Sequence, residues 1–436
     1  MRLLNVDSLE FKEFRDEDAP PYVAASHRWL DEGETTYQDA RDRRDTNTAG
    51  YLKVKAFAKY IREELVPIKW LWIDTACINK ESAAELSEAI NSMFEWYHGA
   101  QLCLAYLADV STGDDLSAMG KSTWWKRGWT LQELLAPATV VFVTREWHVI
   151  GHKGSSDCGE CRPLLGLNLE KTIAEITGIS ENVLHDYAAS CNFTVSQKLK
   201  WMEGRQTFRP EDMSYALFGI LGVALPSNYG ERYNGAKHRL LAAIRERENA
   251  AIQQTENYRR VADWLAPSDP WANHDSARQR HEPNTGVWLL RHRKYLAWKL
   301  GSCRSLWIHG KAGCGKTILC STAIEDMQIY CQNATNTGHA VFYFSFSDSN
   351  KQTYRDLLVS LVVQLGKQEP GPSMLIRAYM KTERRQPGLA ELQNILFASA
   401  ASYEKVFIHL DGIDECPDTD NVRQDVLKGF KALLRR

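Results

Sequence analysis

Short apolar runs alternate with amphipathic stretches through the first 245 residues. Tyr22 to Ser26, Trp70 to Ile73, Leu102 to Leu107 and Thr139 to Val143 are brief, rich in β-branched and aromatic residues, and read as buried strands. Between Lys80 and Tyr97 the apolar residues Leu86, Ile90, Met93 and Tyr97 recur at three- and four-residue steps, which predicts a helix packed by one face on that sheet. Ser82 suits its N-cap, and Glu85, three residues on, would complete a capping box. An α/β domain over residues 1–245 follows.

From 246 to 300 the chain turns charged and helical, with turn signals at Pro267, Pro270 and Pro283-Asn284-Thr285-Gly286, and is expected to be a connector. A second α/β pattern fills 301–436: strand Ser305 to His309, a helix from Lys316, strand Ala340 to Phe346, helix Tyr354 to Leu365 and strand Lys405 to Leu410. Strands separated by helices imply a parallel sheet with right-handed crossovers. No internal repeat interrupts either pattern.

Between the first two elements of this second pattern lies Gly310-Lys311-Ala312-Gly313-Cys314-Gly315-Lys316-Thr317, the spacing G-x-x-x-x-G-K-[ST] in strand-to-helix context. Its glycines let the backbone wrap around phosphate oxygens, and the following helix offers free N–H groups and the positive end of its dipole. Lys316 would neutralise the β- and γ-phosphates of a nucleoside triphosphate, ATP or GTP, and the Thr317 hydroxyl would ligate Mg²⁺. The apolar run Val406 to Leu410 ends in Asp411-Gly412-Ile413-Asp414-Glu415, which puts acids at the carboxyl edge of the sheet. Asp411 suits Mg²⁺, and Asp414 or Glu415 could orient an attacking water.

The pair "WIHGKAGCGKT" and "FIHLDGIDE", with "VFYFSFSD" between them, resembles the NACHT class of signalling NTPases over residues 284–436. That resemblance implies a nucleotide-operated switch that oligomerises when activated. In the related NTPases a further strand follows the acidic one and inserts beside the P-loop strand, carrying a polar sensor. The sequence stops at Arg436 before any such strand, so a gap in the sheet is expected, to be closed by direct pairing of the two strands or by a partner. The same stop puts hydrolysis in question and leaves open a non-catalytic scaffold or a piece of a longer receptor.

In the N-terminal half, Tyr22-Val-Ala-Ala-Ser-His27-Arg-Trp29, Trp72-Ile-Asp74-Thr-Ala-Cys77-Ile-Asn79, Ala84-Glu85-Leu-Ser-Glu88-Ala-Ile-Asn91 and Arg127-Gly-Trp129-Thr-Leu-Gln132-Glu133-Leu-Leu-Ala-Pro137 resemble the fungal heterokaryon-incompatibility (HET) domain. Arg209 to Glu231 looks like the segment that usually follows it. The resemblance implies a cell-death effector whose fold is similar to TIR-type α/β modules, some of which cleave NAD at a cleft glutamate; Glu85 is the residue to suspect by that analogy. Asp74 and His27 each end a buried strand, where α/β sheets bind ligands. Asp74 and Glu85 could share a cleft as an acid/base pair with Arg127 as an anion clamp. A structural reading of the same residues has Asp74 capping the next helix, Glu85 in its capping box and Arg127 paired with Glu133. Trp124, Trp125 and Trp129 read as core.

Composition narrows the rest. Fifty-three basic against 55 acidic side chains give a net charge of −2, so no nucleic-acid surface covers the protein, and no apolar run reaches the length of a membrane span. Scattered cysteines, ten in all, suit a reducing, cytoplasmic setting. Cys158 and Cys161 with His148 and His152 could supply four zinc ligands, or belong to a polar loop. The expectation for the whole chain is a modular switch of fungal non-self recognition. Its partners would be a nucleoside triphosphate, further copies of itself and an allorecognition protein.

Overall fold

A computed structural model describes the chain except residues 31, 156–164, 283–284, 333, 335, 368–374, 378, 381–384, 417–421 and 435–436. It divides into two compact units, Met1–Arg247 and Glu248–Arg436. The boundary falls within the helix Arg232–Leu265. Residues 246–300, expected as a connector, therefore belong almost wholly to the second unit. Tyr258 donates to the carbonyl of Val363 at 3.0 Å, and Lys351 to that of Asp269 at 2.6 Å.

The first unit is built on eight strands among its described residues: β1 (Arg2–Asn5), β2 (Phe11–Glu13), β3 (Val23–His27), β4 (Trp70–Trp72), β5 (Leu102–Tyr106), β6 (Thr139–Val143), β7 (Val149–Gly154) and β8 (Leu167–Asn168). Their spatial order is β2-β1-β4-β3-β5-β6-β7-β8. The middle four are parallel, with Val23 opposite both Leu71 and Leu102, and His27 opposite Tyr106. All five residues of β3 and of β6 are buried, as strands covered on both faces must be. The four strands expected in this unit all form, within a residue of their predicted ends.

The helices used below are α1 (Tyr37–Asp42), α2 (Ala49–Glu64), α3 (Asp74–Cys77), α4 (Ala83–His98), α5 (Leu116–Lys121) and α6 (Thr130–Leu135). In α4 the predicted stripe is turned inward: Ile90, Met93 and Tyr97 are buried, and Tyr97 donates to the carbonyl of Ala25 in β3 at 2.9 Å. Ser82 caps the helix by accepting from the amide of Glu85 at 3.3 Å. The capping box is only half made. Glu85 Oε1 turns instead to the amide of Asn79 at 2.8 Å, because Arg2 draws the carboxylate toward β1 at 2.7 Å. Trp124 and Trp125 are core, packed edge-on at 4.7 Å, while Trp129 is half-buried.

The second unit carries a parallel pair, β9 (Thr337–Tyr343) and β10 (Lys405–Asp411), in register from Thr337 opposite Lys405 to Tyr343 opposite Asp411. Helix Tyr354–Lys367 buries Leu357, Leu358, Leu361, Val362 and Leu365 in the core beside them. Its Gln364 amide both accepts from and donates to the backbone of Val341, at 3.0 and 2.7 Å, and so stands in for a neighbouring strand on the far side of β9. The predicted strand Ser305 to His309 does not form. It lies extended without a ladder, and Trp307 is 65% exposed. Among the described residues β10 pairs with β9 alone, so no strand edge reaches this segment and the two strands do not close on each other.

Close packing makes one position in the first unit sharply size-limited. A Cβ at Gly219 would sit 2.1 Å from Phe94 Cβ on α4. Gly219→Ala is expected to destabilise the N-terminal unit by roughly 1–3 kcal/mol, read as a lower denaturant midpoint at unchanged m-value.

Candidate functional sites

The phosphate loop has the backbone its sequence requires. Gly313 and Gly315 adopt φ of 74° and 88°, the left-handed region that a side chain would strain. A Cβ at Gly310 would fall 2.6 Å from Cys314 Sγ, so this glycine is set by its neighbour in the loop. Helix Lys316–Gln332 begins directly after the turn and points its first amides at the loop. Lys311, Ala312, Gly313 and Cys314 are exposed, and the Lys316 ammonium curls over the loop to the carbonyls of Gly310 and Lys311 at 3.0 and 3.2 Å.

Ninety-four residues apart in sequence, Thr317 and Asp411 meet: the hydroxyl donates to Asp411 Oδ2 at 2.6 Å. Burial raises the Asp411 pKa, with Asp414 adding to the rise; Thr317, the Gly412 amide and Lys316 oppose it. A hydroxyl and a carboxylate oxygen side by side, in a place that penalises bare negative charge, suit a hard divalent cation. Asp414 is exposed on the following turn, and Glu415 Oε2 accepts from the amide of Phe346 at 3.3 Å. The sequence-predicted loop, Thr317 and Asp411 thus converge, with Asp414 and Glu415 one turn beyond.

In the first unit the parallel strands run β4-β3-β5-β6, so the chain leaves β3 toward β4 and leaves β5 toward β6, and the strand order reverses at the carboxyl ends of these strands. Asp74, the first residue of α3, lies there with its side chain 13% exposed. It does not cap the helix. Its Oδ2 accepts from the Trp29 indole at 2.8 Å, and its Oδ1 is 3.4 Å from His27 Nε2. Burial alone would raise the Asp74 pKa, but Lys80, His27 and Arg127 hold it well below the carboxylate range. Burial, seconded by Lys53, lowers the His27 pKa and keeps the ring neutral.

Glu85 belongs to a different network. It is tied to Arg2 and Asn79, and Arg2 also donates to the carbonyl of Cys77 at 3.1 Å; no contact among the described residues joins Glu85 to Asp74. Arg127 does reach the Asp74 crevice, with its guanidinium 4.6 Å from the centre of the Trp29 ring. Glu133 is buried rather than paired at a surface and hydrogen-bonds Ser26 of β3. Sequence reasoning overlooked Glu34, Lys53 and Lys80, which complete this cluster. Lys53 and Glu34 pair at 2.8 Å, and Lys80 Nζ sits 3.6 Å from the Trp29 ring centre. Their only signal was single charges near apolar runs for Lys53 and Lys80, and an acidic stretch for Glu34. Of the expected zinc set, Cys158 and Cys161 lie outside the described residues.

Residues 22–120 match the family model of the heterokaryon incompatibility protein (HET), and residues 284–436 match that of nephrocystin 3, N-terminal. The chain is 34% identical to the vegetative incompatibility protein HET-E-1 of Podospora anserina, over 95% of this chain and 30% of that protein. The HET resemblance is thereby shown. It contains Asp74, Lys80 and Glu85, whereas Arg127 and Glu133 lie beyond the matched residues. The chain spans about a third of the length of this curated relative. No solved structure matched. Among the described residues no helix is long and apolar enough to cross a membrane.

Burial, with Asp74 nearby, pushes the Glu133 carboxyl from 4.5 up to about 8. Between those values the folded chain keeps a proton that the unfolded chain has released, so stability falls as pH rises through the window. Glu133→Gln is expected to flatten that slope, leaving the variant near wild type at pH 5 and relatively more stable at pH 8.5, as followed by urea unfolding at each pH.

Proposed function

We propose that this chain is a nucleotide-regulated switch of fungal non-self recognition, in which the P-loop unit binds ATP or GTP with Mg²⁺ and the HET domain delivers a cell-death output. The Thr317–Asp411 contact carries the reading, because nothing in a merely structural glycine turn calls for a hydroxyl and a half-buried acid to meet at its helix start. Lys316 and the amides of the helix start would hold the phosphates, and Thr317 and Asp411 the cation. The cation would neutralise phosphate charge. Release of Lys316 from its two loop carbonyls would couple ligand binding to loop geometry.

Output would follow from self-association, since clustering raises the effective concentration of an effector that is silent alone. The similarity to a vegetative incompatibility protein supports this role, and an allorecognition partner would set its trigger. Cleavage of NAD at Glu85 finds less support than a non-catalytic effector surface, because that carboxylate is already engaged by Arg2 and the Asn79 amide.

Two outcomes are expected. Calorimetric titration of the full chain with ATP and Mg²⁺ should give saturable binding that Lys316→Ala abolishes; a folded wild type without binding would overturn the switch. Asp411→Asn should weaken binding about tenfold in Mg²⁺ yet little in EDTA, the difference that separates a metal ligand from a structural acid.

A further inference from the structure

The charged cluster at the carboxyl ends of β3 and β4 holds more hydrogen-bonding capacity than the protein uses. Asp74 Oδ2 accepts from Trp29, Asp74 Oδ1 lies 3.4 Å from a His27 Nε2 that has no hydrogen-bond partner among the described residues, and Glu34 Oε2 accepts from the Leu30 amide and Lys53, both at 2.8 Å. Lys80 and Arg127 act on Asp74 through charge, and no side-chain hydrogen bond joins either cation to an acid among the described residues. Neither of those two cations makes a side-chain hydrogen bond among the described residues; each rests against the Trp29 ring. Arg127 Nε is buried without a partner, and so is Glu34 Oε1. A buried donor or acceptor left unmet is costly, so each of these atoms calls for a partner.

The backbone fixes this arrangement from several directions. The Arg127 carbonyl accepts from Arg205 at 2.9 Å and from Thr130 at 2.7 Å, and its neighbour Gly128 bonds Gln206 at 2.8 Å. Lys80 stands on the turn between α3 and α4, and Lys53 on α2. Three cations, Lys53, Lys80 and Arg127, therefore face two acids, Asp74 and Glu34, with His27 neutral and Glu133 holding its proton near pH 7. One positive charge is left over where the strand order opens the sheet.

We propose that this cluster is a binding site for a sugar phosphate, its anion taken by Lys80 and Arg127 and a hydroxyl donated to Glu34 Oε1. A planar guanidinium and a flexible ammonium from different elements recognise phosphate oxygens, while the idle carboxylate oxygen suits a hydroxyl carried beyond the phosphate group, as a sugar supplies. The site is independent of the P-loop.

The test uses the full chain carrying Lys316→Ala, which silences the P-loop, in calorimetric titrations with ribose 5-phosphate and with inorganic phosphate at low ionic strength. Saturable binding of ribose 5-phosphate is expected, weakened about tenfold or more by Arg127→Gln and by Lys80→Met and unchanged by Lys59→Ala, a charge removed from the exposed face of α2. Near-UV circular dichroism selects the variants that keep the native fold, and Lys80→Met tests the site where Arg127→Gln does not fold. Glu34→Gln should reduce the preference for ribose 5-phosphate over phosphate. No saturable binding of ribose 5-phosphate to the folded protein would overturn the proposal. Affinity unmoved by both cation substitutions would do so as well, and phosphate binding as tightly as ribose 5-phosphate would remove the sugar from it.

Discussion

A parallel strand covered on both faces can carry almost nothing but apolar side chains along its length, and so its polar groups collect where the strand stops. In β3 the sequence Val-Ala-Ala-Ser-His is buried throughout, and the chain turns charged only beyond His27. In the second unit β10 is less enclosed, with only Phe407 and His409 buried, and it too ends on an acid, Asp411. Small residues at the centre of β3 let α4 lie close enough for Tyr97 to reach a strand carbonyl. That closeness fixes where the loops after β3 and β4 emerge, and hence where His27, Trp29 and Asp74 can meet.

Much of the fold could be read from the residues because it depends on local pattern. The strand Thr139 to Val143 and the buried face of α4 follow from runs and periods that nothing else in the chain contests. Chemistry set by contacts distant in sequence was harder to read. Glu85 looked like a capping-box residue and a partner for Asp74, but Arg2, 83 positions away, draws it elsewhere. Lys80 attracted no notice because a lone charge after an apolar run is ordinary, and Glu34 because it sits in an acidic stretch of sequence with Asp31 and Glu32; only the fold brings them together with Trp29. The glycine-rich loop was legible for the opposite reason, since the positive φ of Gly313 and Gly315 belongs to one contiguous stretch of sequence.

Ser305 to His309 shows where pattern stops being sufficient. Its composition suits a strand, but a strand exists only with a neighbour to complete its ladder, and β10 hydrogen-bonds β9 alone among the described residues. Trp307 is left 65% exposed, although its sequence context called for burial. Propensity described the segment correctly, and the missing pairing decided its structure.

The Gln364 amide gives the small sheet a polarity. By occupying the backbone of Val341 from the flank, it blocks the β9 side to any incoming chain at that point, while the β10 side keeps its carbonyls and amides free among the described residues. Growth of this sheet is therefore one-directional, and every strand that joins it must lie against the residues that end in Asp411. A strand that completes the sheet along β10 would then run beside Asp411 and the turn that carries Asp414 and Glu415.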